Sequence, residues 1–402
     1  MKLVYTPIIF TFFLFILTAC SSKQKDTSAK LPGPEAPFDT KAFLSYDPKH
    51  ADKKIDEVMQ QLHKTRGFNG NVLVAKNGKI IYEKAIGWAD YLHRDSLKLS
   101  SKFELASVTK TMTSTAILML MEQGKLKLDD DVKKFFPDFP YDGVTIRLLL
   151  THRSGMMNYV YFTDDLYRAQ HLNQRKGISN QEEMALIAQY KPRPFNKPNV
   201  RFLYNNSNFM VLGSIIEKVT GQSYADFMQT HIFKPSKMLN TAVYSKAVYD
   251  KIPVDVVGHD RGQWKYSVAQ NFLDGPVGDK GIYSTVGDLW LYDRALRAGR
   301  LLKQATMDSA YVPRNPMVHG HFSYGYGWRI FEAPGKQVIY HTGWWHGFRH
   351  IYLRDIKDDI TIVLLSNLSN GSLLKLDDLF KAAGMPIVRK SAYNGNGDTS
   401  DD

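Results

Sequence analysis

Two strand-like stretches, the first of alternating apolar runs and the second β-rich, lie near opposite ends of the chain, and their separation limits the folds open to it. The first surrounds Asn77-Gly78, a dipeptide suited to a tight turn, and reads as a hairpin. The second comprises residues 324–331, 337–341, 349–353 and 361–365. Between them, from about residue 107 to 310, the pattern is mainly helical and loop-like. Helical spacing at Ile55, Val58, Met59 and Leu62, within residues 51–64, precedes the first stretch, and a short helical pattern over 373–383 follows the last. This order predicts an α+β fold. An antiparallel β-sheet is formed from both chain ends and flanked by helices, with a mainly helical domain inserted between its halves. No internal repeat is visible.

The N-terminus reads as a targeting segment. Met1-Lys2 precedes an apolar run over residues 8–17 (IIFTFFLFIL), much shorter than the roughly 20 residues that span a bilayer. It leads into Leu17-Thr18-Ala19-Cys20, which resembles a bacterial lipobox with Cys20 as the lipidation site. The expected organisation is a lipoprotein signal peptide over 1–19, the lipidated cysteine and a polar tether over 20–38, a folded domain over 39–390, and a polar tail over 391–402. The expected location follows: secreted across the inner membrane and lipid-anchored, facing the periplasm or cell envelope. Cys20 is the sole cysteine of 402 residues, so an internal disulfide is excluded. A net charge of +12 favours anionic surfaces or ligands, but Lys and Arg are scattered rather than blocked, and no nucleic-acid partner is expected. Oligomeric state is not legible.

Candidate chemistry begins at Ser107-Val108-Thr109-Lys110, at the head of an apolar helical run that closes at Gly124. Residues three apart share a helix face, so Ser107 and Lys110 meet. Residues 117–121 are apolar on every side, as in a helix buried within a domain. A lysine there is desolvated toward its neutral form and can accept the serine proton. Two further groups occur at suitable order: Tyr204-Asn205-Asn206 and His341-Thr342-Gly343. Together with 148–155 (LLLTHRSG), 281–289 (GIYSTVGDL) and 363–367 (VLLSN), they resemble the serine β-lactamase and penicillin-binding-protein family, which includes class C β-lactamases, D-alanyl-D-alanine peptidases and esterases.

That resemblance implies a β-lactamase/transpeptidase-like fold and a serine hydrolase working through an acyl-enzyme without a cofactor. Ser107 is then the nucleophile, Lys110 its base, and Tyr204 a phenol that relays the proton. Asn206 would donate to the substrate carbonyl, with Asn205 one place away. His341 on an edge strand would bind an acidic substrate terminus or polarise the proton network. Thr342 belongs to the same substrate-binding motif, Gly343 admits the substrate, and the Trp344 backbone N–H joins that of Ser107 around the oxyanion. Histidine in place of the lysine of β-lactamases makes the cation there dependent on pH, so activity on anionic substrates is expected to fall as His341 titrates. D-amino-acid peptides, β-lactams and small esters share all these residues. A non-catalytic envelope-binding lipoprotein is the alternative. His341, His346 and His350 are close in sequence, but no metal is assigned to them. Trp344 and Trp345, with Tyr324, Tyr326 and Trp328, read equally as cleft lining or core.

Overall fold

The computed structural model describes residues 47, 51–174, 176–245, 255–260, 267–316 and 321–388. The expected signal peptide, Cys20, the tether, the tail and the outer boundaries at 39 and 390 lie outside the described residues. Among the described residues no helix is long and apolar enough to cross a membrane.

The chain enters through helix α1 (Lys53–Arg66), whose first turn is capped by the Asp52 carboxylate accepting from the Ile55 N–H at 3.0 Å. Strands β1 (Gly70–Lys76) and β2 (Lys79–Ile86) follow, joined by Asn77-Gly78. Both turn residues have positive φ, 50° and 71°, which matches the twist of a two-residue hairpin. The central part carries β3 (Phe103–Glu104), α2 (Thr109–Glu122), α3 (Tyr159–Ala169), α4 (Asn180–Tyr190), α5 (Asn206–Thr220), β4 (Ile282–Ser284) and α6 (Val286–Arg297). The chain then returns to strands β5 (Phe322–Tyr324), β6 (Arg329–Ala333), β7 (Lys336–Trp345), β8 (Phe348–Asp355) and β9 (Ile360–Ser366), and ends in α7 (Asp377–Ala383).

The seven-stranded sheet runs β2-β1-β9-β8-β7-β6-β5 with every neighbour antiparallel. The two chain ends meet in the β1–β9 ladder, where Val72 faces Leu364 and Val74 faces Ile362. These four side chains point to one face and pack with Ile55 and Met59 of α1 and Leu379 and Phe380 of α7. Alternate residues Leu73, Val363 and Leu365 point the other way, into the core shared with Met112 of α2, Phe209 of α5 and Leu289 of α6. Each such aliphatic side chain removed from water contributes roughly 1.5–3 kcal/mol, so the sheet is held from both faces.

One predicted strand is broken. Residues 324–331 form not one strand but the end of β5, a turn, and the start of β6. Gly327 in the turn has φ 73°, and a Cβ there would lie 2.4 Å from Ser114 Cβ on α2. The Ser114 hydroxyl donates to the Tyr326 carbonyl at 2.7 Å, which ties the turn to that helix. Pairing of β6 with β7 therefore ends at Arg329 opposite Tyr340, while β7 continues to Trp345 against β8 alone. The freed edge from His341 to Trp345 faces the chain just ahead of Ser107. A Cβ on Gly343 would stand 2.4 Å from the Leu105 carbonyl oxygen, so only glycine allows this approach.

Candidate active site

Ser107 lies on a short 3₁₀ turn, Ala106–Val108, that feeds directly into α2. Ala106 takes a left-handed φ of 49°, which costs a non-glycine residue about 1 kcal/mol and must be held from outside. Glu104 supplies the hold: its Oε1 accepts from the Ala106 N–H at 3.2 Å and the Gly281 N–H at 2.9 Å. The Glu104 carbonyl accepts from His350 Nε2 at 2.6 Å, linking the turn to β8. Burial pushes the Glu104 carboxyl up to about 8, so it is mainly protonated at neutral pH.

Residues 109–120 of α2 are all buried, and Lys110 is 0% exposed. Its Nζ donates to Ser107 Oγ at 2.8 Å, Asn206 Oδ1 at 2.8 Å and the Asp279 carbonyl at 3.1 Å. Three oxygens thus surround a nitrogen that carries at most three protons. Asn205 is used differently: its Oδ1 caps α5 through the Ser207 N–H at 2.9 Å, and its Nδ2 donates to the Met156 carbonyl at 2.7 Å. The structure brings Asn206, not Asn205, to the lysine. Tyr204 is buried beside them, with Lys110 Nζ and Arg329 Cζ each 5.0 Å from its ring centroid.

His341 departs from the cationic role expected of it. It is fully buried, and burial, together with the charges of Arg329 and Lys110, holds the imidazole well below its ordinary value. A neutral, enclosed ring cannot offer positive charge to an acidic substrate terminus. Its nitrogens instead meet Tyr324 Oη at 3.0 Å and the Thr342 carbonyl at 2.6 Å. Thr342 and Gly343 continue along the free edge of β7, and Trp344 reaches a cavity of about 140 Å³. That cavity opens beside Ser107 and Asn206 and is walled by Tyr161, Trp344, Trp345, Asp279 and Lys280. The aromatic group divides accordingly: Trp344 and Trp345 line the cleft, whereas Tyr324, Tyr326 and Trp328 are core. His346 pairs with Asp274 at 3.0 Å and His350 with Glu104, so the three histidines serve separate partners.

Several residues at the site carried no assigned role in the sequence. Lys280 is buried, lies 3.4 Å from Asp279 Oδ2, bonds the Tyr159 hydroxyl, and stands over the Trp345 ring at 5.1 Å. An adjacent Asp-Lys pair directly before the GIYSTVGDL stretch was the available signal. His152, inside the LLLTHRSG stretch, has its ring centroid 4.3 Å from that of Tyr204. Nothing local to a lone histidine reveals that neighbour.

Comparison with known proteins agrees with this layout. Residues 53–383 match the family described as Beta-lactamase. Penicillin-binding protein 4* of Bacillus subtilis (strain 168) is 32% identical over 333 residues, which cover 78% of this chain and 71% of that protein. Teichoic acid D-alanine hydrolase of Staphylococcus aureus is 28% identical over 282 residues, covering 69% of this chain and 63% of that one. The crystal structure of a penicillin binding protein from Bacillus halodurans shares the fold, with a TM-score of 0.69 at 24% identity over 81% of this chain and 98% of the other. The match takes in both halves of the sheet and the helical insert between them, and the chain belongs to the β-lactamase family.

Proposed function

We propose that the protein is a serine hydrolase that forms an acyl-enzyme on Ser107 and acts on D-amino-acyl peptides, β-lactams or small esters in the cell envelope. The observation that carries this reading is the 2.8 Å contact between Ser107 Oγ and the buried Lys110 Nζ at the mouth of a cavity that Asn206 also lines. In its neutral form Lys110 takes the serine proton as Oγ attacks the carbonyl carbon. The oxyanion forms between the backbone N–H groups of Ser107 and Trp344, a donor pair in which each member is typically worth about 100- to 1000-fold in rate. Asn206 Oδ1 accepts from Lys110 Nζ, which leaves the Asn206 NH₂ to donate to the substrate carbonyl. Tyr204 relays a proton to the leaving group, and water then releases the acyl chain from Ser107. A relative named for D-alanine hydrolysis and another named for penicillin binding support carbonyl substrates of this class. An envelope location with a diacylglycerol anchor on Cys20 completes the reading, and it predicts that Cys20→Ser moves the protein from the detergent phase to the aqueous phase.

An intact-mass time course of the chain from Ser21 onward, mixed with a penicillin and a p-nitrophenyl ester, tests the reaction. A covalent adduct or product release that vanishes in Ser107→Ala supports it. Ligand consumption unaffected by that substitution, or no reaction with either compound, removes it.

A further inference from the structure

Two buried imidazoles flank the Tyr204 region, and the donors and acceptors around them leave each ring one tautomer. His152 Nδ1 receives the Asn205 backbone N–H at 3.2 Å and lies 2.9 Å from Asn208 Nδ2. A backbone N–H can only donate, so Nδ1 is unprotonated and the ring proton is on Nε2. That Nε2–H points to Tyr324 Oη at 3.3 Å. At the other end, His341 Nδ1 faces the Thr342 carbonyl, which can only accept, so Nδ1 carries the proton and Nε2 is an acceptor. Tyr324 Oη, 3.0 Å from that Nε2, donates to it. Burial, Lys110 and Arg329 keep both rings in the neutral form that this arrangement requires.

The same histidine grips the segment that bears Tyr204 on both sides. Its carbonyl accepts from the Leu203 N–H at 2.9 Å, its imidazole from the Asn205 N–H, and its ring lies against the Tyr204 ring between them. His152 itself has a left-handed φ of 54°, a strained conformation that the surrounding bonds impose.

We propose that His152 and Tyr324 are positioning residues: they form a one-directional hydrogen-bond relay, from His152 Nε2 through Tyr324 Oη to His341 Nε2, that locks Tyr204 and the free edge of β7 in one register. The relay joins the Tyr204-Asn205-Asn206 segment to the His341-Thr342-Gly343 strand. Its effect on rate rests on the serine-hydrolase reading above; its tautomers do not.

The experiment uses the full chain labelled with ¹⁵N-histidine, with the two rings assigned by their loss in His152→Asn and His341→Asn. At pH 7 His152 should appear as the Nε2–H tautomer and His341 as the Nδ1–H tautomer, both neutral. Tyr324→Phe removes the bridging hydroxyl but leaves the Thr342 carbonyl, so the His341 ring should keep Nδ1–H while its Nε2, deprived of its donor, shifts its ¹⁵N resonance. The rate of Ser107 labelling by a fluorophosphonate should fall by about tenfold or more, with KM for a neutral p-nitrophenyl ester little changed. His152→Asn keeps an acceptor for Asn205 and tolerates the left-handed φ, so it should fold and show a similar loss. The double variant should be no slower than either single one, because all three remove the same relay. An unchanged His341 Nε2 resonance and rate in Tyr324→Phe, the reversed tautomer at His341 in the unsubstituted protein, or additive losses overturn the proposal. Failure of the unsubstituted protein to label at Ser107 would instead overturn the hydrolase reading, and the tautomers would still decide the relay.

Discussion

Replacing Glu104 by glutamine tests whether the acid that holds the Ser107 turn is uncharged. Its Oε1 accepts two backbone N–H groups, while Oε2 is buried without a hydrogen-bond partner among the described residues. A neutral side chain of the same outline therefore fits. Burial is the main cause that lifts the carboxyl from 4.5 to about 8; Asp274 adds to it, and the Gly281 N–H, Lys280 and the Ala106 N–H oppose it. An acid whose folded value lies above its unfolded value binds more protons folded than unfolded, so stability drops as pH rises from the lower value to the higher. Below about 4.5 both states are protonated and the effect is absent. At 1.36 kcal/mol per unit, the burial of this group costs about 1 kcal/mol at pH 5 and about 3 kcal/mol at pH 7. Glu104→Gln removes that cost and keeps the two accepted bonds. Urea unfolding of both proteins at pH 5 and pH 7 should give a stabilisation that grows by about 2 kcal/mol between them. A difference that is constant across this range, or a variant less stable at pH 7, refutes the neutral-acid reasoning.

Two other outcomes follow from the geometry. Gly343→Ala places a methyl 2.4 Å from the Leu105 carbonyl and must push β7 away from the Ser107 turn, so acylation by a p-nitrophenyl ester should fall about 100-fold, measured against an unfolding midpoint only slightly lowered. The buried His341, facing Arg329, Lys110, His152, Tyr204 and Tyr324, stays neutral in the mildly acidic range. The ratio of rates on an anionic substrate and its neutral ester should then be flat from about pH 5.5 to 7.5, and a fall centred near 6.5 would restore the charged histidine.

The sheet was legible because its strands are short β-prone runs that stay apolar where both faces are buried, as Val72, Leu73 and Val74 are in β1. The Ser107–Lys110 contact was legible because three-residue spacing on a helix is local geometry. The break between β5 and β6 was not, since the aromatic residues Tyr324, Tyr326 and Trp328 mask the turn that Gly325 and Gly327 allow. Its cause is the close approach of Gly327 to Ser114, residues far apart in the chain. The charge of His341 was equally hidden, because a sequence gives a histidine its ordinary affinity for protons, and only the folded packing around Arg329 and Lys110 removes it.

The neutrality of His341 changes where selectivity for charged substrates can arise. In the sequence, the His-Thr-Gly strand was the natural place for a cation that meets an acidic terminus. In the fold, that ring is enclosed and bonded at both nitrogens, and among the described residues lining the cavity the cationic side chain is Lys280, on the chain leading to β4. Lys280 lies beside the Asp279 carboxylate and bonds the Tyr159 hydroxyl, so its charge is already balanced within the cavity wall. An anionic ligand would compete with Asp279 for that ammonium, whereas a neutral or weakly charged carbonyl compound displaces nothing. The aromatic part of the wall, Tyr161, Trp344 and Trp345, offers apolar surface. With Lys280 engaged by Asp279 and His341 neutral, the hydrolase reading predicts that discrimination falls to the shape of the small aromatic-lined cavity more than to a counter-ion at either residue.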